Sequence, residues 1–177
     1  MKKFIIISFG IIIFVVLFFV LAFPKKYTNQ IMFFAEKYSL SPAMIASVIN
    51  IESSYSTTAE SDAGAKGLMQ LLPSTAEECA KKLDMEGVTI DLFDTETNLE
   101  IGCFYLSYLL NVFDNNITNV LCAYNWGMGN VNDWINEGNV DNNGTITNIP
   151  VKETRNYIKK YRCNLFVYEK IYKLGSN

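Results

Sequence analysis

The stretch Ser41-Pro42-Ala43-Met44-Ile45-Ala46-Ser47-Val48-Ile49-Asn50-Ile51-Glu52-Ser53-Ser54 decides the fold. Serine followed by proline marks a helix start: the hydroxyl caps a free backbone N–H, and proline fits the first turn, where its missing N–H costs nothing. Met44, Ile45, Val48 and Ile49 then repeat with the 3.6-residue period of a helix and form an apolar stripe. Glu52 stands one turn beyond Val48, so its carboxyl falls on that stripe near the helix C-terminus. Burial removes the water that stabilises a carboxylate and raises its pKa. The partial negative charge of a helix C-terminus acts in the same direction. A carboxylic acid held protonated toward neutrality is the group that glycoside cleavage requires. On pattern alone, a helix-end glutamate turned to solvent competes with this reading.

Working outward, the rest reads as helices joined by polar loops. Thr28 can cap a helix with Ile31, Phe34, Ala35 and Tyr38 on one face. Residues 53–67 are rich in Ser, Thr, Ala and Gly, and leave room for a small hairpin. Ser74 and Glu77 form a capping-box pattern for a helix to about Leu83. A longer helix carries Leu99, Cys103, Leu106, Leu110 and Phe113, and a short one runs from Val120 to Asn125 and stops near Gly127. Asn130 can cap a segment with Trp134. Residues 138–148 form a loop, and a last helix starts near Val151 and ends by Gly175. The fold class is therefore mainly α.

The chain has 177 residues and no histidine. That excludes a Ser-His-Asp triad, a Cys-His pair and histidine-bound zinc, and leaves acid–base chemistry to carboxylates, Lys, Tyr or Cys. No metal or other cofactor is expected. Phe4 to Phe23 is an apolar run of 20 residues broken only by Ser8 and Gly10. As a helix it would rise about 30 Å, the thickness of bilayer hydrocarbon. Residues 4–23 thus read as one N-terminal transmembrane anchor, an uncleaved signal in effect. Val20-Leu21-Ala22 keeps a cleaved signal peptide open, although such apolar cores are usually about 7–15 residues. Flanking lysines nearly balance and do not fix orientation. Beyond the run, 13 basic residues against 18 acidic ones leave a net charge of −5, which argues against nucleic acid as a partner. Cys79, Cys103, Cys122 and Cys163 follow no CxxC spacing, and either free or bridged thiols fit.

Four blocks in order add a resemblance. Glu52-Ser53-Ser54; Ser61-Asp62-Ala63-Gly64-Ala65-Lys66-Gly67-Leu68-Met69-Gln70-Leu71-Leu72-Pro73; Ala123-Tyr124-Asn125-Trp126-Gly127; and Ile149-Pro150-Val151-Lys152-Glu153-Thr154-Arg155-Asn156-Tyr157 resemble the lytic transglycosylases of the soluble-transglycosylase type. The resemblance spans roughly Tyr27 to Tyr172 and implies a goose-type, lysozyme-like helical catalytic domain over residues 27–174. It also implies cleavage of the β-1,4 bond between N-acetylmuramic acid and N-acetylglucosamine in peptidoglycan strands, with closure of a 1,6-anhydro ring in place of hydrolysis. Glu52 matches the single glutamate that would serve first as acid and then as base. Ser53, Gln70, Tyr124, Asn125, Glu153 and Tyr157 match positions that contact substrate or brace the cleft.

Glu60 and Asp62 are the nearest candidates for a second carboxylate, and both read as solvated loop acids. Trp126 departs from the family's usual small residue, and Leu72 from a frequent methionine; the indole can stack on a sugar, narrow a subsite or belong to the core. Two other functions fit the same residues: a goose-type lysozyme that hydrolyses the bond, and a non-catalytic wall-binding component of a secretion or division complex. Because peptidoglycan lies outside the cytoplasmic membrane, the resemblance places the catalytic domain extracytoplasmic. The protein would be a single-pass membrane protein, or a secreted one if the leader is cleaved, with cell-wall or secretion proteins as further partners.

Overall fold

The computed structural model describes residues 2–85 and 87–174, without the side chains of residues 2–9 and 15. The described helices are α1 (Lys2–Ala22), α2 (Thr28–Tyr38), α3 (Pro42–Ser53), α4 (Pro73–Lys82), α5 (Thr95–Val112), α6 (Ile117–Trp126), α7 (Met128–Asn136) and α8 (Lys152–Phe166). A π-helical turn, Val167–Ile171, follows α8. Strand-like pairing among the described residues is limited to isolated bridges, Glu60 with Lys66, Lys66 with Leu71 and Val140 with Ile146. The mainly α expectation holds.

Helix α3 begins as its sequence predicts: the Ser41 hydroxyl accepts from Met44 N at 3.4 Å, and Pro42 is the first helical residue. The expected single apolar stripe is an understatement. Every residue from Ala43 to Ile49 is buried, because α2, α8 and the π-helical turn all pack on α3. Ser47, inside that run, donates to Ala43 O at 2.6 Å and so carries no unpaired polar group into the core. Each fully buried Ile or Val contributes ~1.5–3 kcal/mol. Only the last turn leaves the core, and that turn carries Glu52.

The loop from α3 to α4 is fastened from three directions. Buried Asn98 of α5 accepts from Met69 N at 2.8 Å and donates to Lys66 O at 2.9 Å and Leu92 O at 2.8 Å. Ser53 of α3 donates to Leu68 O at 2.8 Å, and Tyr124 of α6 donates to Met69 O at 2.8 Å. Gly67 is required here: its φ is +75°, and a Cβ would lie 2.0 Å from Leu92 O.

Several expected boundaries move. Helix α4 starts at Pro73 after Leu72, not at a Ser74 cap, because proline's fixed φ already suits the first turn. Helix α2 is preceded by Tyr27 in a left-handed conformation, so Thr28 lies inside it. Helix α6 starts earlier than Val120, at Ile117, with the Asn116 side chain accepting from Asn119 N at 3.3 Å. Helix α7 starts at Met128, so Asn130 lies within it and donates back to Trp126 O at 2.8 Å. The last helix, expected to end by Gly175, does so at Phe166, where the chain widens into the π-helical turn. Cys79, Cys103 and Cys122 are free and buried; Cys163 is free and exposed.

The proposed span, 4–23, falls largely on α1, a helix of 21 residues. The side chains of residues 2–9 and 15 lie outside the described residues, and among those described no helix is long and apolar enough to cross a membrane. The carboxy-terminal end of α1 is docked on the domain. Asn50 donates to Ala22 O at 2.9 Å, Tyr172 to Phe23 O at 3.0 Å and Tyr168 to Pro24 O at 2.8 Å.

Candidate active site

Glu52 opens from the last turn of α3 into a cleft of about 560 Å³, lined also by Gln70, Asn125, Glu153, Tyr157 and Lys160. Its pKa is raised from 4.5 to about 7. Burial is the largest cause, and the negative charge of Glu153 adds to it. The Tyr157 hydroxyl and the Lys160 ammonium act the other way, favouring the carboxylate. The group is thus poised to hold a proton near neutrality and to release it when a partner changes.

Tyr157, one turn into α8, is buried. Its hydroxyl faces Glu52 without reaching hydrogen-bond geometry, and it is the one buried polar side-chain atom among the described residues with no partner. Burial, then the charge of Glu52, pushes its own pKa well up, so it remains a neutral donor. Glu153 is exposed in the first turn of α8, where the helix N-terminus favours an anion.

Two amides form the floor between this cleft and a neighbouring groove of about 320 Å³, since Gln70 and Asn125 line both. Gln70 holds a left-handed backbone, φ 47°, and its Nε2 donates to Ala59 O and Gly67 O, each at 3.0 Å. That leaves its side-chain oxygen as the free acceptor. Asn125 accepts from the buried Thr154 hydroxyl at 2.7 Å, which leaves its NH₂ as the free donor.

Five of the seven residues singled out in the sequence, Glu52, Gln70, Asn125, Glu153 and Tyr157, therefore line one cleft. Tyr124 lines only the neighbouring groove, with its hydroxyl committed to Met69 O. Ser53 lines neither, its hydroxyl committed to Leu68 O. These two brace the loop that presents Gln70. Glu60 and Asp62 do not line the cleft; Glu60 pairs at the surface with Lys66, 3.7 Å away. The second carboxylate that acts on Glu52 is Glu153. Lys160 escaped the sequence reading, although it lies three residues after Tyr157 and therefore on the same helical face.

The family described as Transglycosylase SLT domain matches residues 30–145, well over half of the chain. The chain belongs to the transglycosylase SLT domain family. Its relatives include the soluble lytic murein transglycosylase of Escherichia coli K12, 32% identical over 155 residues. That match covers 85% of this chain and 23% of the relative. The membrane-bound lytic murein transglycosylase C of Shigella sonnei Ss046 is 31% identical over 158 residues, covering 76% of this chain and 44% of the relative. This SLT-domain chain thus spans less than half the length of these relatives. Among solved structures, an inactive glutamate-to-glutamine mutant of the lytic transglycosylase Slt from Pseudomonas aeruginosa superposes with a TM-score of 0.78 at 27% identity. It covers 89% of this chain and 26% of that one. The 70 kDa soluble lytic transglycosylase of Escherichia coli gives 0.77 at 30% identity, covering 86% of this chain and 25% of that one. The lysozyme-like SLT fold is the fold of this chain.

Proposed function

We propose that this chain is a membrane-anchored peptidoglycan lytic transglycosylase with Glu52 as its acid and base. The observation that carries the reading is a carboxyl group with a pKa of about 7 in an open cleft of an SLT fold. The inactive relative with one glutamate changed to glutamine supports it. In the first step Glu52 gives its proton to the glycosidic oxygen, the C1–O bond breaks, and the N-acetylglucosamine side leaves as an alcohol. Positive charge gathers at C1 of the muramic sugar, where its own N-acetyl oxygen can share it. In the second step the Glu52 carboxylate takes the proton of the C6 hydroxyl, whose oxygen closes on C1. Glu52 ends protonated, and no water is consumed. Tyr157 and Lys160 favour the carboxylate between the steps. Gln70 and Asn125 hold the sugar, Glu153 borders it, and Tyr124 and Ser53 hold the loop.

Residues 27–174 form the catalytic unit in this reading, and residues 4–23 anchor it in the cytoplasmic membrane with the catalytic unit outside. Support for the anchor comes from the unbroken helix α1 and its exposed Ile11, Phe14, Leu17 and Leu21. A membrane-bound relative exists as well.

A second reading, a hydrolase of the same bond, is favoured by Glu153, a second carboxylate in the same cleft. Mass spectrometry of muropeptides released from purified sacculi separates the two. Anhydro ends, lighter by one water, are expected from the wild type, and none from Glu52→Gln. Reducing ends would overturn the transglycosylase reading in favour of the hydrolase. Undiminished release by Glu52→Gln would remove Glu52 from its role.

A further inference from the structure

Charge is divided unevenly along the chain. Residues 28–160 carry 8 basic and 17 acidic residues, whereas residues 24–27 and 161–174 together carry 5 basic and 1 acidic. That one acid, Glu169, pairs at the surface with Lys170, 3.4 Å away. The fold brings the two basic segments together. Tyr168 and Tyr172 hold the carbonyls of Pro24 and Phe23, and the Lys25 ammonium stands over the Tyr172 ring, 5.8 Å from its centre. Asn50, which holds Ala22 O, also donates to Asn164 at 2.5 Å. An otherwise acidic domain thus has one cationic end, at the place where α1 joins it.

The same end exposes apolar groups. In the π-helical turn Tyr172 N donates to Val167 O at 2.9 Å, so residues five apart become neighbours. That sets Ile171 beside Phe166, and both are exposed, at 49% and 60%. Arg162 and Cys163 lie four and three residues before Phe166, on the same helical face, and are exposed as well. Val167 and Tyr168, between the two apolar groups, are buried.

Exposed apolar side chains among Lys and Arg suit a bilayer surface: the apolar groups enter the boundary of headgroups and acyl chains, and the cations meet lipid phosphates. Continuity with α1 selects a bilayer over a protein partner, because an anchor at residues 4–23 holds this end beside the headgroups. The acidic remainder of the domain is repelled by the same lipids, which favours one orientation.

We propose that the end of the domain formed by Lys25, Lys26, Arg162, Phe166, Lys170 and Ile171 lies on the surface of an anionic bilayer. The contact rests on the anchor proposed above, which makes it intramolecular, so that a weak patch suffices. It also sets the height of the cleft. Helix α8 spans about 20 Å from Phe166 to Glu153, so Glu153 stands no more than that above the level of Phe166. The cleft is then confined to glycan close to the membrane.

The test uses the full chain, reconstituted into vesicles of phosphatidylcholine with or without phosphatidylglycerol. Both contain a lipid with a nitroxide on its headgroup as quencher. Cys163 is exposed and the other three cysteines are buried, so a thiol-reactive fluorophore marks Cys163, with Cys163→Ser as background. Quenching is expected to be at least about twofold greater in the anionic vesicles, and to return to the neutral level in high salt. Phe166→Ser with Ile171→Ser, and Lys26→Gln with Lys170→Gln, should each remove at least half of that gain. All four side chains are exposed, so melting in detergent should not change. Equal quenching in both lipids overturns the contact and leaves the patch to a protein partner. A gain that survives either pair of substitutions intact overturns it too. Flotation separates this outcome from failure of the anchor. A chain that floats with both kinds of vesicle and is quenched equally keeps its anchor and loses the surface contact. A chain that floats with anionic vesicles alone, and needs Phe166 and Ile171 to do so, keeps the contact and loses the anchor. A chain that floats with neither refutes both.

Discussion

The Tyr157 hydroxyl faces the Glu52 carboxyl from α8 and has no hydrogen-bond partner among the described residues. A buried hydroxyl left unpaired is costly in a resting protein, on the order of 1–3 kcal/mol. It becomes an asset when Glu52 turns into a carboxylate, because a short approach then forms a charge-assisted hydrogen bond.

The pH profile of Tyr157→Phe tests this relationship. Tyr157 lowers the pKa of Glu52, so its removal raises that pKa above about 7. The acid step needs protonated Glu52, and the alkaline limb of the rate should move up by roughly half a unit to one unit. The maximal rate should fall at the same time, because the carboxylate of the second step loses a donor. An unmoved alkaline limb would mean that the hydroxyl acts elsewhere.

Glu52 also makes a prediction about stability. Its pKa rises from 4.5 to about 7 on folding, so between these values the folded state holds more protons than the unfolded one. Stability from this group is therefore full below pH 4.5 and is lost as pH rises through about 7. Glu52→Gln removes that loss. It should be more stable than wild type above pH 7, by up to about 3 kcal/mol, and the gain should vanish below pH 4.5. Thermal melting at pH 4 and pH 8 measures the difference. An equal effect at both values would show that Glu52 is solvated in the folded state.

Local patterns decided much of this in advance. Ser41-Pro42 marked the start of α3, and the apolar period put Glu52 on a covered face. Helical spacing from Glu153 placed Tyr157 one turn on. What stayed hidden depends on contacts between segments far apart in the chain. Nothing local says that Asn98 will hold Met69 and Lys66, or that Ser53 and Tyr124 will spend their hydroxyls on the same loop. The burial of α3 on every side was equally out of reach, because it depends on which helices pack around it. Glu60 and Asp62 looked near Glu52 in sequence, yet the acid whose charge acts on it arrives about a hundred residues later on α8.

The loop that presents Gln70 should fail at Asn98 or Gly67. Asn98→Ala strips partners from Met69 N, Lys66 O and Leu92 O together. Leaving buried backbone groups unpaired should cost ~3 kcal/mol or more. Gly67→Ala must fit a methyl 2.0 Å from a carbonyl oxygen at φ +75° and should cost about as much. Ala63→Gly, in an exposed part of the same loop, should change stability by less than about 1 kcal/mol. Urea unfolding of the three variants orders them, and a Gly67→Ala protein as stable as wild type would show that this loop yields.

The end of α1 should behave as part of the domain as well as a membrane anchor. Asn50, Tyr168 and Tyr172 hold the carbonyls of Ala22, Pro24 and Phe23, and the Phe23 ring meets Tyr168 edge-on at 6.4 Å. Asn50 lies two residues before Glu52 on α3, so the helix that holds the end of the proposed anchor also carries the acid. The full chain should stay with the membrane pellet through an alkaline carbonate wash, and protease added to protoplasts should digest the catalytic unit. Deleting residues 2–23 should release the protein and also lower its melting temperature. The loss of the Phe23 contact and of two carbonyl partners uncovers apolar surface and leaves Asn50 and Tyr172 without those acceptors. Release without any change in melting would mean that α1 is a loose tether. A full chain that washes off the membrane would refute the anchor itself.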